Sequence, residues 1–166
     1  MTHFTKYVLS FKLLLTAFKK TYTAGAELVV DEAMSAFTGR NRNTVFMRNK
    51  PDPWGFKIWM LADAETYFVI NFELYQGAVD GKSETGLTQR VVLDLVKELA
   101  SSNRIVYMDN FYTSTSLFAK LLVESLRGCG TLDKKRKGIP KEFKEIQLNA
   151  QGDYRCLQRD DLTVVL

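Results

Sequence analysis

The stretch Arg104–Thr115, RIVYMDNFYTST, constrains this chain most. Ile105, Val106, Tyr107 and Met108 form an apolar, β-prone run that ends on the acid Asp109. Such a run reads as a buried parallel strand with a carboxylate at its C-terminal end. Open α/β sheets place their ligands at that edge. Ser114 and Thr115 then offer a cap for a following helix. A second segment, Glu27 to Glu32, has the same form, with Leu28, Val29 and Val30 leading into Asp31 and Glu32. Two strands that deliver Asp31 and Asp109 to one place make a cation site, because neighbouring carboxylates repel each other and attract a hard divalent metal. The plainer reading of each acid is a turn or helix cap, a common role for Asp at a strand end.

The 166 residues suffice for one domain with a real core. A net charge of +4 and a pI near 9.0 lean only mildly toward polyanionic partners. The two cysteines, Cys129 and Cys156, and the single histidine, His3, exclude most Cys/His zinc frameworks and any catalysis built on a central histidine. Both thiols are expected reduced, buried or free, in the cytosol or nucleus. The apolar run from Tyr7 to Phe18 is interrupted by Lys12 and followed by Lys19 and Lys20. It is too short for a span of roughly 20 residues, so neither a secretory signal nor a membrane anchor is expected.

Tyr7 to Tyr22 reads as an amphipathic helix with Phe11, Leu14, Leu15 and Phe18 on one face. Three antiparallel strands are expected over Leu28–Phe37, Phe56–Ala62 and Tyr67–Tyr75; Thr44–Met47 is an option for a further short strand, and Pro51 and Pro53 break the chain after it. Gly77 to Gly86 reads as a loop. A helix is expected over Thr88–Ala100, capped by Thr88 and carrying the stripe Val91, Val92, Leu95, Val96, Leu99. The Arg104 strand comes next, then a helix over Ser116–Leu126 ended by Arg127-Gly128, then a short strand over Cys129–Leu132. Beyond Pro140 the pattern weakens, with short strands at Tyr154–Leu157 and Leu162–Leu166. The order strand, strand, strand, helix, strand, helix, strand predicts an α/β fold with an RNase H-like mixed sheet, in which the first strand and the strand after the first crossover helix are central neighbours. The expected organisation is an N-terminal helix and linker over 1–26, a partial catalytic core over 27–140, and the start of an inserted region over 141–166. The apolar C-terminal run suggests a sequence cut inside a domain.

The residues Asp31-Glu32-Ala33-Met34, Phe37, Gly39-Arg40, Met47, Lys50-Pro51, Trp54-Gly55, Lys57 and Trp59 resemble the first catalytic block of piggyBac-type transposases. Tyr75, Gly77, Gly86, Val91 and Val92 continue the resemblance. Asp109-Asn110-Phe111-Tyr112-Thr113-Ser114 resembles the second block. Gly130-Thr131 and Arg136-Lys137-Gly138-Ile139-Pro140 resemble the family's next segment. The resemblance implies a DDE-type nuclease and strand-transfer domain in which divalent ions, Mg2+ or Mn2+, sit among three aspartates. It implies that Asp31 and Asp109 are the first two. The third is not matched: Asp153, Asp160 and Asp161 are acids by count only, and Gly152-Asp153-Tyr154-Arg155-Cys156 resembles the entry to the family's insertion. The chain therefore resembles a fragment or decayed copy, and two carboxylates alone are expected to hold magnesium weakly, in about the millimolar range.

Arg40, Arg42, Arg48, Lys50 and Lys57 cluster around the first hairpin. They read either as a phosphate track beside the acids or as a solvated basic face. Trp54 and Trp59 are available for stacking or packing, with Trp59 expected in the core. Glu32 is expected to be structural, and Asn110 to shape the turn or to orient Asp109. The run Lys134–Lys137 reads as a nuclear address, a DNA contact or merely an exposed loop. DNA is the expected partner, with a homodimer as a further option, no membrane association and a nuclear location. The alternatives kept open are a non-catalytic DNA- or protein-binding module and a product with no stable function.

Overall fold

The computed structural model of the chain describes residues 3–77 and 84–166. The first strand, β1 (Glu27–Ala36), pairs antiparallel with β3 (Trp54–Asp63) in an unbroken register from Leu28↔Asp63 to Ala36↔Gly55. The far edge of β3 receives β4 (Val69–Leu74) along one half and the two-residue β2 (Val45–Phe46) at the other end. On the opposite flank, β5 (Ile105–Met108) runs parallel to β1, and β6 (Arg127–Gly130) runs parallel to β5. The six-stranded sheet thus has the order β2-β3-β1-β5-β6, with β4 also on β3. This is the mixed RNase H-like arrangement, and β1 and β5 are central neighbours.

Apolar alternation decides which face is covered. Leu28 and Val30 on β1, Trp59 and Leu61 on β3, and Val106 and Met108 on β5 form one buried face. Against it lie Val91, Val92, Leu95 and Val96 of α2 (Leu87–Val96) and Leu117 and Leu121 of α3 (Thr115–Val123). The N-terminal helix, α1 (His3–Thr21), packs elsewhere: Phe11 meets Phe72 of β4 edge-on, and Phe72 pairs with Met60 on the other face of the sheet. Leu13 and Leu14 remain exposed, so the expected stripe of α1 is only partly covered. A short helix, α4 (Lys141–Glu145), buries Phe143, and a separate hairpin of β7 (Cys156–Arg159) and β8 (Leu162–Val165) completes the described chain.

Two turns differ from expectation for local reasons. Thr88 does not cap α2; the cap position is Gly86, in the left-handed region at φ 74°, and no side chain closes it. The α3 helix stops at Val123 instead of Leu126, because Ser125 turns the chain at φ 53° and releases the next residues into β6. Gly128 accordingly lies inside a strand and not at a helix end. A Cβ there would sit 2.6 Å from the Phe118 ring, so only glycine lets α3 lie this close to β6. The expected strand over Cys129–Leu132 therefore begins and ends two residues earlier.

The α4 turn was not anticipated at all, being too short to show a period. Most of the expected loop Gly77–Gly86, residues 78–83, lies outside the described residues. Both cysteines are free and exposed rather than buried. No helix among the described residues is long and apolar enough to cross a membrane.

Candidate metal and DNA site

The parallel register of β1 and β5 sets the centre of the site. Val29 faces Tyr107 and Val30 faces Met108, and one step further both strands present their acids. Side chains alternate along a strand, so Asp31 and Asp109 extend the rows begun by Val29 and Tyr107, away from the buried face. Adjacent strands lie about 4.8 Å apart, which puts the two backbones within side-chain reach of a shared ligand. Both carboxylates also act electrostatically on the same two groups, Lys57 and Tyr112. The two strand ends that the sequence suggested are brought together.

Each acid uses one oxygen locally. Asp31 Oδ1 accepts from the N–H of Glu32 at 2.8 Å. Asp109 Oδ1 accepts from the N–H of Phe111 at 3.0 Å, an Asx turn. Both residues are exposed, and among the described residues neither has an ion-pair partner. Their charges are therefore not neutralised by the protein's own ammonium or guanidinium groups at contact distance.

The turn after β5 is clamped from two sides. Buried Thr113 returns its N–H to the Asp109 carbonyl at 3.1 Å and its hydroxyl to the same oxygen at 2.7 Å. From the far side, Arg136 donates to the carbonyls of Asn110 at 2.6 Å and Phe111 at 2.9 Å. Asp109 itself makes the turn expected of Asn110, and Asn110 contributes its carbonyl. Arg136, read as part of a basic run, is a strut for the acid-bearing turn. Nothing local in the sequence announces this, because its partners lie 26 and 25 residues away.

Glu32 lies on the other face, opposite Trp59. It accepts from the Tyr112 hydroxyl at 3.0 Å and pairs with Lys50 at 3.2 Å. Burial, with Glu32 beside it, pushes the Tyr112 phenol far above its ordinary value, so Tyr112 is a neutral donor throughout the physiological range. Lys50 also donates to the Glu32 carbonyl at 3.0 Å, so its charge is already committed within the protein. Lys57 is half-buried, with Nζ 4.8 Å from the Phe111 ring centre and 5.5 Å from that of Trp59. Its burial lowers its pKa, and the surrounding acids Glu32, Asp109 and Asp31 act in the opposite sense. Trp59 is core, and its indole N–H is buried without a hydrogen-bond partner among the described residues.

Some arginines are committed within the protein and others are not. Arg90 ties Glu73, Glu84 and Asp94 together, which raises its pKa, chiefly through Glu73. Arg104 holds the carbonyls of Ala24 and Gly25. Arg40, Arg42 and Arg48 are exposed and take no acid partner among the described residues. These three lie in the chain between β1 and Lys50, at the end of β1 remote from its first residue.

No group of three or more His, Cys, Asp or Glu side chains able to hold a metal occurs among the described residues. Asp153 spends Oδ2 on the N–H groups of Asn149 and Ala150, and Asp160 turns the β7–β8 hairpin at φ 52°. The donor set of Asp31 and Asp109 still fits a hard divalent ion. Magnesium is commonly held by one or two protein carboxylates, with substrate phosphates and water filling its remaining positions.

A mixed sheet in this order, with an acid at the end of each of its two central parallel strands, defines the RNase H-like core of the DDE transposase class. Residues 9–165 match the family model described as Transposase IS4, and the chain belongs to that family. It is similar to the piggyBac transposase in a cryo-EM synaptic complex with hairpin DNA, at 32% identity and a TM-score of 0.84. That match covers 93% of this chain and 33% of the other, so the chain spans about a third of that protein's length. A Mos1 strand transfer complex matches at 14% identity and a TM-score of 0.41, over 70% of this chain and 38% of the other, a likeness too slight to bear on function.

Proposed function

We propose that this chain is the part of a piggyBac-type transposase core that binds DNA and supplies two of the carboxylates for metal-dependent strand cleavage and transfer. The convergence of Asp31 and Asp109 at neighbouring strand ends carries this reading. When bound, a divalent ion supplies Lewis-acid charge at phosphodiester oxygens. The chain's own residues do the rest. Asp31 and Asp109 offer unneutralised oxygens, Thr113 and Arg136 hold the Asp109 turn in place, and Arg40, Arg42 and Arg48 offer free guanidinium groups to the phosphate backbone. The relative at 32% identity is in complex with hairpin DNA, which supports DNA as the ligand here. A nuclear location agrees with that ligand, and sedimentation of the purified chain with and without DNA checks for a homodimer.

With two carboxylates, metal binding is weak and this chain alone does not complete transposition. The test is a magnesium or manganese titration followed by thermal shift. The wild type gains Tm at millimolar metal, and the double variant Asp31→Asn/Asp109→Asn gains less. Identical responses sink the metal reading.

A second reading is favoured by the free arginines, which do not need the acids to act. In it the chain is a DNA-binding module without catalysis. Binding to duplex DNA that falls steeply with salt, and that survives the double Asn substitution without metal, supports the second reading over the first.

A further inference from the structure

Large aromatic side chains normally bury most of their area. At the β2–β3 end of the sheet two do not. Trp54 is 58% exposed and Phe46 is 54% exposed. They are cross-strand partners, with ring centres 5.1 Å apart and planes tilted by 47°. Beside them Phe37, 39% exposed, leans on Phe56 at 5.0 Å. Between Phe37 and Trp54 opens a concavity of about 740 Å3, whose rim carries Arg40 and Arg42. Those two guanidinium groups are among the ones left without acid partners among the described residues.

The register connects this patch to the acids. Asp31 pairs with Met60, Ala33 with Ile58, and Ser35 with Phe56, and cross-strand partners share a face. Trp54 continues the row of Phe56, Ile58 and Met60, so it lies on the same face as Asp31. Trp54 and Met60 stand about 20 Å apart along the strand. Between the two ends this face carries the small Ala33 and Ser35 on β1 beside Ile58 and Phe56 on β3.

We propose that Trp54 and Phe46, with Arg40 and Arg42, form a binding site for an unpaired nucleotide of the DNA strand whose phosphodiester lies at Asp31 and Asp109. The proposal rests on the DNA reading above. A π-face flanked by free guanidinium groups matches the two chemistries of a nucleotide, base and phosphate. The site selects an unpaired base because a base inside a duplex has both faces stacked. The basic rim opposes an apolar or basic protein partner. Trp54 and Phe46 make no base-edge contacts, so the site is tolerant of sequence.

The experiment uses the full chain with two DNAs of equal duplex length, one blunt and one carrying a short single-stranded extension. Each holds a 2-aminopurine, in the extension or at the blunt end. The wild type quenches the probe in the extension and prefers the extended DNA. Trp54→Ala loses the quench and weakens binding to the extended DNA by about tenfold, the size of one stacked base. Trp54→Phe keeps the quench, which separates stacking from a folding defect. If the wild type binds both DNAs in a salt-dependent way without quenching, or if Trp54→Ala quenches as well as wild type, the stacking site is wrong and the DNA reading survives. If the wild type shows no salt-dependent DNA binding, both fall.

Discussion

At the scale of single residues, the acid-bearing turn is where position and stability meet. Asp109 is placed by bonds that its own carboxylate does not make: Thr113 holds its carbonyl, and Arg136 reaches across from the loop before α4. Arg136→Ala leaves the carbonyls of Asn110 and Phe111 to water, at a cost of about 0.5–1.5 kcal/mol. Amide hydrogen exchange should quicken at 109–113 more than in α2, and equal change in both regions refutes a local role. Tyr112→Phe removes the donor to Glu32 and costs about 1 kcal/mol, because Glu32 keeps Lys50. A two-state denaturant melt checks it. Both acids and the basic residues Arg40, Arg42 and Arg48 were legible in the sequence, through composition and the strand-end pattern. The parts played by Tyr112, Thr113 and Arg136 were not, because each depends on a partner brought close only by the fold.

At the scale of elements, the β1–β3 pairing organises the sheet, and Gly55 is where it is tightest. A Cβ at Gly55 would lie 2.0 Å from the Ser35 carbonyl oxygen, which the backbone of the neighbouring strand cannot yield. Gly55→Ala should cost at least about 3 kcal/mol and should disrupt the β2–β3 end first, since Trp54 and Val45 flank the clash. Loss of order at Trp54, seen in its emission spectrum before global unfolding, checks the location.

The turn from β3 to β4 depends on Asp63. It is buried and accepts from the N–H groups of Gly25, Glu65 and Thr66, bonds that hold its pKa well below the ordinary carboxylate range. A carboxyl with a depressed folded pKa stabilises the fold above its unfolded pKa, about 3.9, and loses that contribution as the pH falls toward the folded value. Stability should therefore decline on acidification from about pH 4 downward. Asp63→Asn should flatten that arm and cost about 2–3 kcal/mol at neutral pH. Melts from about pH 2.5 to about pH 7 decide it. An unchanged acid arm in the variant counts against Asp63 as the cause.

At the scale of the whole molecule, charge is distributed by task. Arg90 and Arg104 bind the protein to itself, and Arg40, Arg42 and Arg48 face outward around one end of the sheet. Duplex binding should accordingly show a log–log salt slope of about −2 to −3, a little under one unit for each phosphate neutralised. Replacing Arg40, Arg42 and Arg48 by Ala should make the slope markedly shallower, and Arg90→Ala should leave it as it was. A slope that does not respond to the triple substitution places DNA elsewhere.

Alternating and continuous apolar runs determined the strands, the α2 and α3 stripes and the order of elements, because burial repeats with the period of the backbone and can be read along one chain. Asp31, Asp109 and the outward arginines were visible for the same reason, as polar punctuation in that repeat. Only the tertiary structure decided that Arg136 braces the Asp109 turn, that Lys50 is spent on Glu32, and that Trp54 shares a face with Asp31. Those facts rest on contacts across tens of residues and on strand register, and neither distance nor register is encoded in any local window of sequence.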